Sequence, residues 1–242
     1  TRGVMKRETA LAAPCEFLAE SFRELGFHIL VVPNVIDLSR YGFRERNNIE
    51  PKLLWMRSFH HIDNPGMAVE VLDLLRQEYP NAKLTMAGVD KGLERPMKDM
   101  VAKRGLVDAV SFPGFLIPDQ KIDAFSQADI FLNTNHEDNM PVAVVEAAAF
   151  GLPVVATNVG GIPYMLSHGE NSLLVEKGNA RQMVEAVKSL LHDAELTRKI
   201  SHGGRNLAER SSWGKVRQQW EDLFAEVLDP GLVETESRLQ TN

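Results

Sequence analysis

The chain has 242 residues, 44% of them apolar and 25% charged. That is an ordinary globular composition, which excludes a generally disordered chain and suffices for one large domain burying ~70–75% of its unfolded surface. Lys plus Arg number 27 against 33 Asp plus Glu, a formal charge of −6, which argues against a general nucleic-acid binder because such a protein needs a basic face. Cys15 is the only cysteine, so neither an internal disulfide nor a cysteine zinc cluster can form, and a reducing, cytoplasmic location is expected. No uncharged apolar run reaches the ~18 residues of a membrane-spanning helix. The nearest, 141–162, is interrupted by Glu146 and several glycines. No signal-peptide pattern opens the chain, and its start at Thr1 in place of Met is read as a piece of something longer.

In chain order, an amphipathic helix over 14–25 stops at Gly26, and 28–33 (HILVVP) reads as a short strand. Six further strands are expected at 52–57 (KLLWMR), 83–87 (KLTMA), 109–112, 129–133 (DIFLN), 153–157 (PVVAT) and 172–175. Helical periodicity fills the gaps at 66–79, 93–105, 119–127, 142–150 and 162–167, with apolar residues three and four apart. Strand–helix alternation predicts parallel strands joined by right-handed crossovers, hence an α/β, Rossmann-like, doubly wound sheet of about six strands. The strands are largely apolar, as a sheet covered on both faces requires. Three successive helices follow at 180–192, 195–209 and 213–228. Residues 1–228 are expected to form one domain and 229–242 a mobile tail.

In open parallel sheets the ligand sits beyond the carboxyl ends of the strands. The richest loop there is Asn133-Thr134-Asn135-His136-Glu137-Asp138-Asn139-Met140-Pro141, running into Val142 and the helix that carries Glu146. Pro141 suits a first helical turn. The amides around Met140, Pro141 and Val142 would then offer N–H donors and a partial positive charge to a phosphate. Asp138 and Glu146 are eight residues apart and flank this turn, so that their carboxylates can accept from hydroxyls of a ligand lying across the helix tip. Taken alone, Asp138 reads as readily as a helix cap and Glu146 as a solvated helical residue. Gly160 and Gly161 follow a strand and permit close approach of backbone to ligand, as does Gly88. Taken alone they are equally turn glycines. Arg57 ends a strand, where it can reach a diphosphate or remain a surface arginine.

Several chemistries lack their signatures. There is no G-x-G-x-x-G, no G-x-x-x-x-G-K-[ST] and no G-x-S-x-G. No D-x-D pair occurs, and His60-His61 is adjacent in place of being spaced on a helix face, so no metal is expected.

Together these segments resemble the carboxyl-terminal, donor-binding half of a group 1 (family four) retaining glycosyltransferase of the GT-B fold. The resemblance runs from about Ala13 to about Leu228. Pro14-Cys15-Glu16-Phe17-Leu18 leading to Val32-Pro33-Asn34-Val35-Ile36-Asp37 resembles the family's entry into this half. Asp138 to Glu146 resembles its E-x7-E motif, and Glu146-Ala147-Ala148-Ala149-Phe150-Gly151-Leu152-Pro153-Val154-Val155-Ala156-Thr157-Asn158-Val159-Gly160-Gly161 its E-A-[AM]-A-x-G-x-P-V-[VI]-A-[ST]-x-x-G-G stretch.

The resemblance implies roles. Glu146 holds the ribose of a UDP- or GDP-sugar and Asp138 contacts the transferred sugar. Arg57 and the amides near Asn139, Met140 and Val142 bind the diphosphate. The loop 112–116, with Phe115, lines the base pocket. Two departures stand out: the first acid is Asp138, one methylene shorter than the usual Glu, and the place of the family's R-x4-K-G lysine falls near Ile62-Asp63-Asn64, with no basic residue there.

The resemblance also implies an acceptor-binding amino-terminal half outside this chain, onto which the helix with Trp213 and Trp220 packs. This fragment alone would then be inactive, prone to self-association through an open face, and peripheral to the inner membrane only through the other half. The alternatives are a stand-alone nucleotide-sugar-binding module without turnover and a nucleotide-sugar epimerase of the same fold.

Overall fold

A computed structural model describes residues 10–228 of the chain; the expected tail at 229–242 lies outside them. Two short strands, β1 (Ala12–Ala13) and β2 (Leu30–Val31), pair in parallel with α1 (Glu16–Arg23) between them. They close over a small apolar cluster of Ala13, Ala19 and Ile29, separate from the main core. The strand expected at 28–33 shrinks to two residues because its partner offers only two.

The main sheet begins at β3 (Lys52–Met56), followed by α2 (Pro65–Leu75), β4 (Lys83–Ala87), α3 (Glu94–Lys103), β5 (Val110–Gly114) and α4 (Pro118–Gln127). The chain then returns to the middle with β6 (Ile130–Asn133), α5 (Val142–Ala149), β7 (Val154–Thr157), the single-turn α6 (Ile162–Met165) and β8 (Leu173–Val175). The spatial order is β5-β4-β3-β6-β7-β8 and every pairing is parallel. This is the doubly wound arrangement expected from the alternation. All six predicted strands and the five helices between them are present, within a few residues at their ends.

Alternate residues of the central strands feed two cores. Ile130 and Leu132 of β6 join Leu53, Trp55, Leu72, Met86 and Val187 on the face covered by α2, α3 and α7 (Ala180–His192). Phe131 joins Phe125, Val144, Phe150 and Val154 on the other face, covered by α4 and α5. A strand buried on both faces has no polar side to spare, which is why β6 and β7 are apolar up to their last residues, Asn133 and Thr157. Behind α5 packs α8 (Ala194–Arg210), where Gly204 lies against Ala148; a Cβ on Gly204 would sit 3.2 Å from the alanine methyl. The last helix, α9 (Trp213–Leu228), buries Val216 and Leu223 but exposes Trp213 and Phe224. Trp220 is half-buried and stacks on Phe224 at 5.7 Å.

One buried cation ties the second face together. Arg46 is 2% exposed. Its Nη1 donates to the carbonyls of Arg44 (2.7 Å) and Phe150 (3.0 Å), and its Nη2 to those of Phe125 (3.4 Å) and Ala128 (3.1 Å). It thereby satisfies free carbonyls at the carboxyl ends of both α4 and α5, where a positive charge also suits the helix dipoles. Its Nε faces Asp129 Oδ1 at 3.5 Å, an ion-pair distance without a hydrogen bond. Burial lowers the guanidinium pKa to about 10, so it remains charged at neutral pH. Arg46→Met leaves these carbonyls and Asp129 without their buried cation and is expected to destabilise the fold by about 3–5 kcal/mol, measured by urea unfolding.

Candidate functional site

Strands β3 and β6 are neighbours, yet the chain leaves them in opposite directions, through α2 to β4 and through α5 to β7. Such a switch point opens a crevice at the carboxyl ends. Its two walls are the segments 57–64 and 134–141, and a buried polar chain joins them. Trp55 Nε1 donates to Thr134 Oγ1 (2.9 Å), and that hydroxyl lies 2.9 Å from the carbonyls of both Asp63 and Asn64. The His136 amide donates to the Ile62 carbonyl at 2.7 Å.

Between the walls lies Arg57. Its Nε donates to Asp63 Oδ1 at 2.9 Å, and its Nη2 approaches Asp138 Oδ2 at 3.2 Å. Asp63 sits in the one-turn 3₁₀ helix His61–Asp63 that precedes α2. Among the described residues Nη1 has no partner. Asp138 also accepts from the Asn139 amide (2.9 Å) and from Asn135 Nδ2 (2.5 Å). Its carboxyl pKa is raised: burial pushes it up by more than Arg57 and these hydrogen bonds pull it down. The helix-cap reading of Asp138 does not hold, because the residue at the cap of α5 is Pro141, with no side-chain bond, and the helix starts at Val142. The first amides of α5 therefore remain without intrahelical partners.

The paired glycines serve this loop. A Cβ on Gly160 would lie 2.2 Å from the Asp138 carbonyl oxygen, and one on Gly161 would lie 2.1 Å from that of Asn139. The Gly161 amide donates to the Asp138 carbonyl at 2.8 Å. The close approach that sequence reasoning assigned to a ligand is thus made by the 138–139 backbone itself. Gly88 behaves likewise: at φ +151°, its Cβ would fall 1.7 Å from the Arg57 carbonyl oxygen. These glycines set the crevice walls and need not touch its contents.

Glu146 projects from the second turn of α5 with its side chain only 8% exposed. Its Oε1 accepts from Tyr41 Oη at 2.9 Å and from Lys121 Nζ at 2.5 Å. The solvated-helix reading therefore fails. Neither Tyr41 nor Lys121 was singled out from sequence; nor were Asp63 and Asn135. The one available signal was that Lys121 is the only basic residue of α4. Phe115 lies beyond the carboxyl end of β5 and is 67% exposed, next to buried Leu116. A groove of about 450 Å³ opens at Asn34, Asp138, Asn139 and Met140. A larger one, about 740 Å³, lies along Lys52, Lys83, Thr85, Ser111 and Asp123 and includes neither Arg57, Asp138 nor Glu146.

The sequence matches the family model of glycosyl transferases group 1 over residues 43–207. The chain belongs to this family. It is 27% identical over 139 residues to the D-inositol 3-phosphate glycosyltransferase of Streptomyces bingchenggensis, covering 57% of this chain and 30% of that protein. The fold superposes on the crystal structure of Anabaena HepE in complex with UDP and glucose with a TM-score of 0.80 at 18% identity, covering 90% of this chain and 63% of the other. It is also similar to the C-terminal domain of a group 1 glycosyl transferase from Francisella tularensis, with a TM-score of 0.63 at 20% identity, covering 72% of this chain and 96% of that domain. The chain spans less than half the length of these curated relatives.

The Asp138 environment carries a pH signature. Its folded pKa lies above its ordinary value, so its contribution to stability is complete below the unfolded carboxyl pKa and is lost as pH rises through the folded one. The penalty is therefore present on the high side of the carboxylate range and absent on the low side. Relative to the parent chain, the unfolding temperature of Asp138→Asn is expected to shift in the variant's favour as pH rises through that range, whatever the variant loses in its contacts to Arg57 and Asn135. A relative shift in the opposite direction, read by thermal unfolding across that range, would contradict this balance.

Proposed function

We propose that this chain is the donor-binding half of a retaining glycosyltransferase, holding a nucleoside diphosphate sugar in the β3/β6 crevice. One observation carries the reading: Arg57, with a free Nη1, and the amino-terminal turn of α5 meet at the same switch point. A diphosphate there meets a guanidinium and unpartnered amides, including those of Met140 and Val142, at the positive end of a helix. Glu146, one turn further along α5, receives the ribose hydroxyls, and the loop carrying Phe115 borders the base. Asp138, beside Arg57, receives hydroxyls of the transferred sugar; an Asp in place of Glu requires that sugar to sit closer to the loop. No basic residue stands near Ile62-Asp63-Asn64, where a lysine is usual, so the neutralisation leans on Arg57, the α5 dipole and groups outside this chain, with no metal ion required.

Crystal structures of similar fold contain UDP or UDP-glucose, which favours a uridine nucleotide over a guanosine one. The leaving diphosphate is stabilised by these fixed donors, while the acceptor hydroxyl attacks the face it departs from. The acceptor docks on a further domain, against which the exposed Trp213 and Phe224 of α9 pack; in its absence that face favours self-association. No helix among the described residues is long and apolar enough to cross a membrane, and we place the protein in the cytoplasm, with any membrane contact made through the other domain.

Charge-assisted hydrogen bonds contribute ~1.5–3 kcal/mol, so Arg57→Ala should weaken UDP binding about ten- to over a hundredfold by calorimetry. An unchanged affinity in a folded variant removes Arg57 from the site. In a turnover assay the isolated chain should bind nucleotide but form no glycoside until the acceptor domain is added, because orienting the acceptor supplies ~7–11 kcal/mol of the barrier reduction. Robust transfer by the chain alone contradicts the division of labour.

A further inference from the structure

We infer that Lys121 and Tyr41 are positioning residues that hold Glu146 with one oxygen turned to the nucleotide's ribose. The inference rests on the reading of Glu146 as the ribose ligand and adds the two groups through which that ligand works.

Glu146 is the only polar side chain in Val142–Ala149, a helix otherwise of valine and alanine and largely buried. A carboxylate in such surroundings persists only when paired and hydrogen-bonded. Both of its donors, Lys121 Nζ and Tyr41 Oη, land on the same atom, Oε1. Oε2 has no protein partner among the described residues. A carboxylate oxygen accepts through two lone pairs, so Oε1 is saturated and Oε2 is left with the capacity that a vicinal diol needs.

The donors arrive from different directions. Lys121 stands in the first turn of α4, just beyond the loop that carries Phe115, and its side chain is 27% exposed, reaching from solvent to the carboxylate. Tyr41 comes from the segment ahead of β3 and is itself held fast. Its ring meets Phe150 edge-on at 5.3 Å, and its carbonyl accepts from Arg205 Nη1 at 3.1 Å. Burial, and then the Glu146 charge, raise the phenol pKa, so Tyr41 remains a donor throughout the neutral range. Two supports fixed before any ligand arrives remove the rotamer freedom of Glu146, which is the general route by which a site gains affinity through preorganisation.

If the pair served only to fasten α4 and the segment ahead of β3 to α5, its loss would lower stability and affect all nucleotides alike. If it positions Glu146, its loss is felt through the ribose hydroxyls. The test is calorimetry with UDP and GDP, each beside its 2′,3′-dideoxy counterpart, using whichever pair binds the parent chain more tightly. Lys121→Met should weaken the ribonucleotide about tenfold and the dideoxy form by less than about twofold, and Lys121→Arg should recover most of the loss. Tyr41→Phe, which removes only a hydroxyl, should give the same selective loss at about threefold.

Equal losses for both forms, or no loss in either variant, overturn the inference. Glu146→Gln separates the two levels. If it abolishes the ribose preference while Lys121→Met and Tyr41→Phe keep it, the positioning role alone falls. If it leaves the preference intact, or if neither nucleotide binds the parent chain, the donor-site reading falls with it.

Discussion

Two adjacent parallel strands whose crossovers lead away from each other cannot have the space above their carboxyl ends filled by their own connections. In this chain those strands are β3 and β6, and everything of chemical interest is a response to that gap. The wall after β3 begins with Arg57 and the wall after β6 carries Asp138, so a cation and an anion face each other at 3.2 Å across the crevice. A third charge, Asp63, takes the Nε side of Arg57. The guanidinium is thus oriented by two carboxylates, with its remaining nitrogen unpartnered among the described residues. A planar fork held on two edges can present the third to a phosphate without searching rotamers, whereas a lysine at the same place would act as a mobile point charge.

The arrangement works against the ordinary preferences of its parts. Asp138 is buried enough that its charged form is disfavoured, and Glu146 is enclosed in an apolar helix. Such groups persist where surrounding structure over-determines them. Here the over-determination is traceable to particular atoms. Glycines at 160 and 161 let one loop lie directly on another; any side chain there would displace the 138–139 backbone. Gly88 does the same beneath the Arg57 carbonyl. Arg46, far from the crevice opening, gathers carbonyls at the ends of α4 and α5 and so fixes the two helices that supply Lys121 and Glu146. The small residues of α5 allow α8 to press against it, with Gly204 on Ala148.

The sheet was legible because burial on both faces writes largely apolar runs into its central strands, and the crossover helices because their apolar stripes recur at three and four. The crevice was legible because a strand-to-loop-to-helix sequence with Asp138 and Glu146 at its ends has only one place to sit in such a sheet. What stayed hidden was long-range. Tyr41 reaches Glu146 across 105 residues and Lys121 across 25, and no local pattern marks either. Asp63 stayed hidden because only the turn His61–Asp63 folds its carboxylate back onto Arg57, and that fold has no local signature in the sequence. The glycines were found for the right property, and the structure shows one use of it: the room left by the missing Cβ is taken by the protein's own backbone.

The family membership and the fold place this chain among group 1 glycosyl transferases, and the central claim is that donor nucleotide occupies the β3/β6 crevice. A crystal structure of the chain soaked with UDP addresses it directly. The account predicts the diphosphate between Arg57 and the first turn of α5, with the ribose on Glu146. Nucleotide instead in the larger groove along Lys52, Lys83 and Ser111, with Arg57 still bound only to Asp63 and Asp138, would contradict it.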